Sequence, residues 1–271
     1  MKKILVPTDF SACANYAAQV AINLAKGLNS WVYFLNISPE PAVKSMVHSE
    51  VELETHHQEV STAKSQLDEW VRKGESVGVT CFPILVFDNG TEKIENYIKP
   101  YSIDLIVMGS HGTKGIRKLI IGSNAERVIK HASVPVVVVK KQAEAQSLNA
   151  ILYASTFNEK TNADFSWVAN LVNGLNGQLH LLYLSNDTNP ESEQAAYNKM
   201  EKLASGYPGL QYALDYAITN DYEWAISNVA DKVNAGIIAI SENEKEGGLL
   251  SVNVALKLVT DEDRPVLVLK R

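Results

Sequence analysis

Two short stretches of the chain carry residue types that could do chemistry. The first is Pro7-Thr8-Asp9-Phe10-Ser11. The second runs from Met108 through Gly109-Ser110-His111-Gly112, spans nine further residues, and resumes at Gly122-Ser123-Asn124. Glycines let backbone N–H groups come close to an anion. A helix opening at Ser123 adds unpaired N–H groups and a partial positive charge, and the Ser123 hydroxyl can donate to a phosphate oxygen. Lys114, Arg117 and Lys118 lie inside the second stretch, and Arg127 and Lys130 follow it. The chemistry this predicts is the holding of a polyphosphate. The pattern is neither the Gly-Lys-Ser/Thr of a P-loop nor Gly-x-Gly-x-x-Gly. No nucleophile elbow or Ser-His-Asp order accompanies it, so no catalytic residue is assigned. His111 beside a phosphate could assist hydrolysis or serve only as a hydrogen-bond donor.

Such loops need a scaffold, and the chain supplies one twice. Ile4-Leu5-Val6-Pro7-Thr8-Asp9-Phe10 aligns with Ile151-Leu152-Tyr153-Ala154-Ser155-Thr156-Phe157 at an offset of 147. The same offset sets Leu24, Gly27, Leu28, Asn29 and Ser38 over Leu171, Gly174, Leu175, Asn176 and Ser185. Val134-Pro135-Val136-Val137-Val138-Val139-Lys140 matches Arg264-Pro265-Val266-Leu267-Val268-Leu269-Lys270 at an offset of 130. The second copy is therefore shorter in its middle by 147 − 130 = 17 residues. A repeat of this kind sets the fold class before any local reading. The domain boundaries expected are 1–141 and 148–271, with a polar join between them. A length of 271 residues fits two domains of ordinary size.

Within the first copy, strands are expected over 3–6, 31–37, 79–86, 104–108 and 134–139. Helices are expected from Ser11 as N-cap to about 28, over 43–74, 91–99 and 123–130. Gly27 reads as a helix end. The second copy repeats the order, with strands near 150–154, 178–184 and 266–269 and a helix near 161–175. Short, continuously apolar strands alternating with helices predict α/β domains with a parallel sheet covered on both faces. The fold class expected is two tandem five-stranded, doubly wound, Rossmann-like domains. In such sheets ligands sit beyond the carboxyl ends of strands where the strand order switches, and both chemical stretches fall at that edge.

Composition narrows the setting. Hydrophobic residues make up 46% and charged residues 21%, enough apolar content for real cores. Residues 1–142 hold 16 Lys+Arg and 14 Asp+Glu, a net of +2, and residues 143–271 hold 9 and 17, a net of −8. An anionic ligand is steered to the first half. Neither half has the basic stripe of a nucleic-acid binder. No apolar run reaches the length of a membrane span, and Lys2-Lys3 before a short apolar run and Pro7 does not read as a leader. Cys13 and Cys81 form no disulfide framework and read as small buried hydrophobes, which suits a reducing cytoplasm.

Weaker candidates read as structural. His48, Glu52 and His56 share a helix face with His57 adjacent, but a rise of 1.5 Å per residue puts the outer two about 12 Å apart. That is too far for one ion, so the face is read as solvated, a metal shared with a second chain being the alternative. His131 and His180 have no partner pattern. Trp70, Trp167 and Trp224 sit on helix-like stretches and read as core or interface.

The spacing Gly109-x2-Gly112-x9-Gly122-Ser123 resembles the nucleotide-binding motif of the universal stress protein family. The Ile4–Asp9 opening, the Asp104–Gly109 strand and the Val134–Val138 ending are also similar to that family. The likeness is strong over residues 1–140 and rests on strand ends and the repeat over 148–271. It implies a tandem-domain universal stress protein with the adenine nucleotide alpha hydrolase-like fold, binding ATP, with Mg²⁺ as a possible companion, and acting as a stress-response regulator or sensor. On this resemblance Asp9 accepts hydrogen bonds from the ribose, and Pro7, Thr8 and Ile37 wall the adenine. Met108 and Gly109 lie under the sugar, and His111, Gly112, Gly122, Ser123 and Asn124 line the phosphates. A slow ATPase using the same pocket, or a scaffold with a vestigial one, are the alternatives.

The second copy departs from the motif. Thr156 stands where Asp9 would, Ala154 where Pro7 would, and residues 241–248 carry three glutamates in place of Lys114, Arg117 and Lys118. Like charge there repels phosphate, so no ATP site is expected in that half. The last strands, apolar on both faces, are expected to pair with each other inside one chain, since such an edge must be covered. A homodimer of tandem chains remains open.

Overall fold

In a computed structural model the chain is described over residues 2–39, 50–88, 90–111, 121–157, 161–241 and 251–270. Strand β1 (Lys3–Pro7) leads to α1 (Ala12–Leu28), β2 (Trp31–Pro39), α2 (Glu50–Glu75) and β3 (Cys81–Asp88). A 3₁₀ turn (Ile94–Tyr97) and the short α3 (Ile98–Tyr101) then precede β4 (Leu105–Gly109), α4 (Ser123–His131) and β5 (Val136–Val139). The second half follows with β6 (Ala150–Ser155), α5 (Thr161–Gly174), β7 (Gln178–Ser185), α6 (Pro190–Ala204) and β8 (Tyr212–Ile218). It closes with α7 (Tyr222–Lys232), β9 (Ile237–Ser241), α8 (Val252–Asp261) and β10 (Val266–Leu269). The α/β class with doubly wound parallel sheets is therefore what the alternation of apolar runs and helices predicted.

All ten strands lie in one sheet, in the order β3-β2-β1-β4-β5-β10-β9-β6-β7-β8. Every pairing is parallel except β5 with β10, which is antiparallel. Val137 lies opposite Leu267, and these are repeat counterparts at the offset of 130. A pseudo-two-fold axis thus passes between them. On each side of it the order reverses between two neighbouring parallel strands, β1 and β4 in the first half, β6 and β9 in the second.

The helices divide between the two faces. One core packs α1, α2, α5 and α6 against the sheet, the other α3, α4, α7 and α8, and each runs through both halves. β5 and β10 are 2% exposed or less at every position, and a fully buried valine or leucine stabilises by about 1.5–3 kcal/mol. Lys140 and Lys270, again repeat counterparts, each donate across the axis to a main-chain carbonyl near the end of the opposite helix, Thr260 of α8 and Ile129 of α4. A cation there meets the negative pole of the helix.

Some local expectations change. Gly27 does not end α1, which runs to Leu28 and is closed by Asn29 in the left-handed conformation, φ 49°. A Cβ on Gly27 would meet the carbonyl oxygen of Gly174 at 2.9 Å, and one on Gly174 would meet that of Gly27 at 3.1 Å. The two glycines, 147 apart, let α1 and α5 touch backbone to backbone. Residues 91–99 do not form one helix. Asp88 takes the N–H groups of Gly90 and Glu92 and the hydroxyl of Thr91 at 2.7–2.8 Å, so the chain wraps that carboxylate before any helical turn begins. The polar join is tied down as well. Leu148 is 1% exposed, and Gly236 lies so close to Ser147 that no side chain fits between them.

Trp70 packs in the core and its Nε1 donates to Asn15 Oδ1 at 3.2 Å, whereas Trp224 is 64% exposed and lies outside the core. His131 is exposed, and His180 Nδ1 lies 3.8 Å from Asp215. His48 and the side chains of Glu52 and His56 lie outside the described residues. Among the described residues no group of three His, Cys, Asp or Glu could hold a metal ion, and no helix is long and apolar enough to cross a membrane.

Both cysteines are free and buried. Burial pushes the Cys81 thiol up from 9.0 to about 12, with Glu75 adding to the rise. A thiol that stays protonated is a poor nucleophile. Native protein at pH 8 is therefore expected to leave Cys81 unlabelled by iodoacetamide over hours, while denatured protein labels fully. The folded state holds that proton above pH 9 where the unfolded state releases it, so stability falls as pH rises past 9. Equal labelling in both states would contradict the packing described.

Candidate functional site

The crevice beyond β1 and β4 is built by two loops whose shapes follow from their residues. Pro7 ends β1, and Thr8 N–H still donates to Leu35 O at 2.8 Å. The Thr8 hydroxyl oxygen accepts from Phe10 N–H at 3.0 Å, and Phe10 sits in the left-handed region with φ 60°. That turn leaves Asp9 exposed at its tip, where its Oδ1 accepts from Ser11 N–H at 3.1 Å. The Ser11 side chain in turn caps α1 by accepting from Ala14 N–H.

On the neighbouring strand Met108 is buried and Gly109 ends β4. A Cβ on Gly109 would meet Cys13 C at 2.8 Å and Ala14 N at 2.9 Å. The first glycine of the motif thus seats the start of α1 against the end of β4. Ser110, 3% exposed, donates its N–H to Val139 O at 2.9 Å, and its hydroxyl lies 2.8 Å from His111 Nδ1. His111 Nε2 lies 3.4 Å from Cys13 Sγ, which donates to Lys140 O at 3.3 Å. Burial pushes the Cys13 thiol up, with Ser110 opposing in smaller measure.

Gly122 returns the loop to the strand. Its N–H donates to Ser110 O at 2.8 Å, and a Cβ there would meet His111 Cα at 3.1 Å. Gly122 is also the N-cap of α4, so no side chain spends the N–H groups of the first turn. Ser123 and Asn124 open that helix and are exposed. The Asn124 Oδ1 accepts from Arg127, which also meets Glu95 at 3.2 Å, and Lys130 pairs with Glu126 at 2.6 Å. The two cations after the loop are thus engaged with acids on or beside their own helix. Gly112, Lys114, Arg117 and Lys118 lie outside the described residues.

Parallel pairing of β1 with β4 and with β2 brings Pro7, Thr8, Asp9, Met108, Gly109 and His111 to one sheet edge. Ile37, half-buried in β2, and the start of α4 stand at the same edge. An uncapped helix start, close glycines and a carboxylate at a topological switch make a crevice suited to an anion with a hydroxylated neighbour. Sequence reasoning passed over Ser110, Cys13 and Asn36. Asn36 had a signal, a single amide inside the apolar run Phe34-Leu35-Asn36-Ile37.

The family model for the universal stress protein family matches residues 1–140. The chain belongs to that family. Universal stress protein MJ0531 of Methanocaldococcus jannaschii is 36% identical over 147 residues, spanning 52% of this chain and 82% of that protein. Universal stress protein MJ0577 of the same organism is 29% identical over 159 residues, 52% of this chain and 96% of that protein. A universal stress protein of Archaeoglobus fulgidus has the same fold across both halves, with TM-score 0.74, 21% identity, and 99% and 96% of the two chains covered. Single-length relatives thus match half of this universal stress protein.

At the equivalent edge of the second half two buried side chains meet. The Phe157 turn keeps the left-handed backbone, φ 47°, and its N–H still donates to Ser155 Oγ at 3.2 Å. Yet Tyr153 OH meets Ser241 Oγ at 2.6 Å, tying β6 to the end of β9, both side chains buried. Strand register puts Tyr153 over Val6 and Ser241 over Gly109. Thr156 holds the position of Asp9. Residues 242–250, with the three glutamates and Gly247-Gly248, lie outside the described residues.

Proposed function

We propose that the first half binds an adenine nucleotide, ATP with Mg²⁺ as its companion, and that the protein is a nucleotide-dependent regulator of a stress response in the cytoplasm. The observation that carries this reading is the meeting of the Asp9 turn and the Gly109–Gly122 loop at the β1/β4 switch. Asp9 accepts from the ribose hydroxyls. Pro7, Thr8 and Ile37 wall the base, and Met108 and Gly109 lie beneath the sugar. His111, Gly112, Gly122, Ser123 and Asn124 receive the phosphates through N–H and hydroxyl donors. The positions fit the group chemically, since Gly109 lets the start of α1 close against β4, Gly122 lets the loop return onto Ser110 and His111, and α4 opens without a side-chain cap.

The domains are 1–141 and 148–271, and they act as one unit paired through their last strands. The antiparallel register of β5 and β10 supports that pairing. The second domain takes no nucleotide. Its Thr156 and the Tyr153–Ser241 bond support its role as a partner domain.

The test is the nucleotide content of freshly purified protein, followed by calorimetric titration with MgATP. One nucleotide per chain is expected. Asp9→Ala removes acceptors for two hydroxyls and is expected to weaken binding about 10- to 100-fold, as loss of hydrogen bonds to a charged group does. Two nucleotides per chain, or unchanged affinity in Asp9→Ala, would refute the assignment. Phosphate release in single turnover separates a binding regulator from a slow ATPase.

A further inference from the structure

The two halves release their first strand at different points, and a buried side chain makes the difference. In the second half the β6–β7 ladder runs on to the pair Ser155 and Tyr183. In the first half the β1–β2 ladder stops one pair sooner, at Pro7 and Leu35. The next pair would be Thr8 with Asn36, the counterparts of Ser155 and Tyr183 at the offset of 147. Instead, Asn36, 5% exposed, donates its Nδ2 to the Thr8 carbonyl at 2.8 Å, and its Oδ1 accepts from the Ser38 hydroxyl at 2.6 Å. Both ends of the amide are used, which fixes its orientation.

Asn36 is not what shapes the turn. Both halves keep the left-handed phenylalanine and the hydroxyl that accepts its N–H. What differs is what lies beside the turn. Tyr183 stacks on Phe157 with ring centroids 5.7 Å apart and planes at 18°, and Phe157 is 6% exposed. Phe10, the counterpart of Phe157, is only half-buried.

We infer that Asn36 is a positioning residue of the nucleotide site, whose side-chain amide takes the Thr8 carbonyl from the sheet and so lets Asp9 stand out from the end of β1. This rests on the nucleotide reading above. Without the amide, the buried Thr8 carbonyl must go unpaired or regain a main-chain donor by extending β1 one residue, as the second half does. Either course displaces Asp9.

The test is MgATP titration of the full chain as wild type, Asn36→Leu and Asn36→Asp, at pH 7.5 and pH 5, with thermal melts showing each variant folded. At pH 7.5 both variants are expected to bind about tenfold weaker or worse, the effect of leaving a buried acceptor unsatisfied. Asn36→Asp carries the distinguishing readout. A carboxylate cannot donate to Thr8 O, but a protonated carboxyl can, and burial beside a carbonyl raises the pKa of such an acid. Relative to wild type at the same pH, Asn36→Asp is therefore expected to regain affinity at pH 5, and Asn36→Leu is not. Wild-type affinity in both variants, or equal loss with no recovery in Asn36→Asp, would overturn the inference. A wild-type chain that takes no MgATP would overturn the nucleotide reading, and this inference with it.

Discussion

Gly109→Ala is expected to destabilise the protein by about 3 kcal/mol, the upper range for forcing a group into a packed core, and to abolish nucleotide binding. The added methyl would lie 2.8–2.9 Å from the backbone of Cys13 and Ala14. Backbone cannot rotate away as a side chain can, so α1 must back off from β4. Both loops of the crevice hang on that contact, since Ser11 caps α1 and His111 reaches Cys13. Gly122→Ala is the graded control. Its closest contacts, 3.1 and 3.2 Å, ask only for a shift of a few tenths of an ångström, so its cost is expected to fall below about 1 kcal/mol. Urea midpoints and MgATP titrations on both variants check this. A Gly109→Ala chain with wild-type midpoint and affinity would show that the helix–strand contact carries no weight.

Leu267→Lys is expected to cost more than about 4 kcal/mol, because it buries an unpaired ammonium in a dry sheet. Leu267 is 0% exposed and sits opposite Val137, also 0% exposed, on the pseudo-two-fold axis. The charge cannot escape along its side chain, since helices cover both faces. Differential scanning calorimetry should show the main transition lost, or moved down by more than ten degrees relative to wild type, in line with about 4 kcal/mol in a chain of this size. Val137→Lys should do the same, since pseudo-symmetry gives both residues the same surroundings. Val77→Lys, at a position 43% exposed, is expected to shift the transition little. A Leu267→Lys protein melting as wild type would mean that β5 and β10 are not paired in solution.

Much of the architecture was legible because it follows from local rules. Short β-branched apolar runs such as Val136–Val139 read as strands covered on both faces, and helices between successive strands favour parallel order within each half. The offset of 147 announced a second copy before any element was assigned. Gly109 and Gly122 stood out by spacing alone. What failed was local grammar overridden at a distance. Gly27 carried the signature of a helix end, but its lack of a Cβ serves a crossing with Gly174 from the other half. Residues 91–99 had a helical composition, but Asp88 competes for their first N–H groups. Beside the candidate site, Arg127 follows the loop in sequence, but the fold sets Glu95 against it.

The sequence by itself determined the α/β class, the duplication and the family, and it singled out the edge where the candidate site lies. These depend on hydrophobic period and motif spacing, which are properties of neighbours along the chain. Only the tertiary structure decided that Asn36 donates to the Thr8 carbonyl where the ladder stops, that Tyr153 meets Ser241, and that Val137 faces Leu267. Each is a contact between residues far apart in the chain, and its register is fixed by packing across the whole sheet, where a shift of one residue would turn every side chain to the other face.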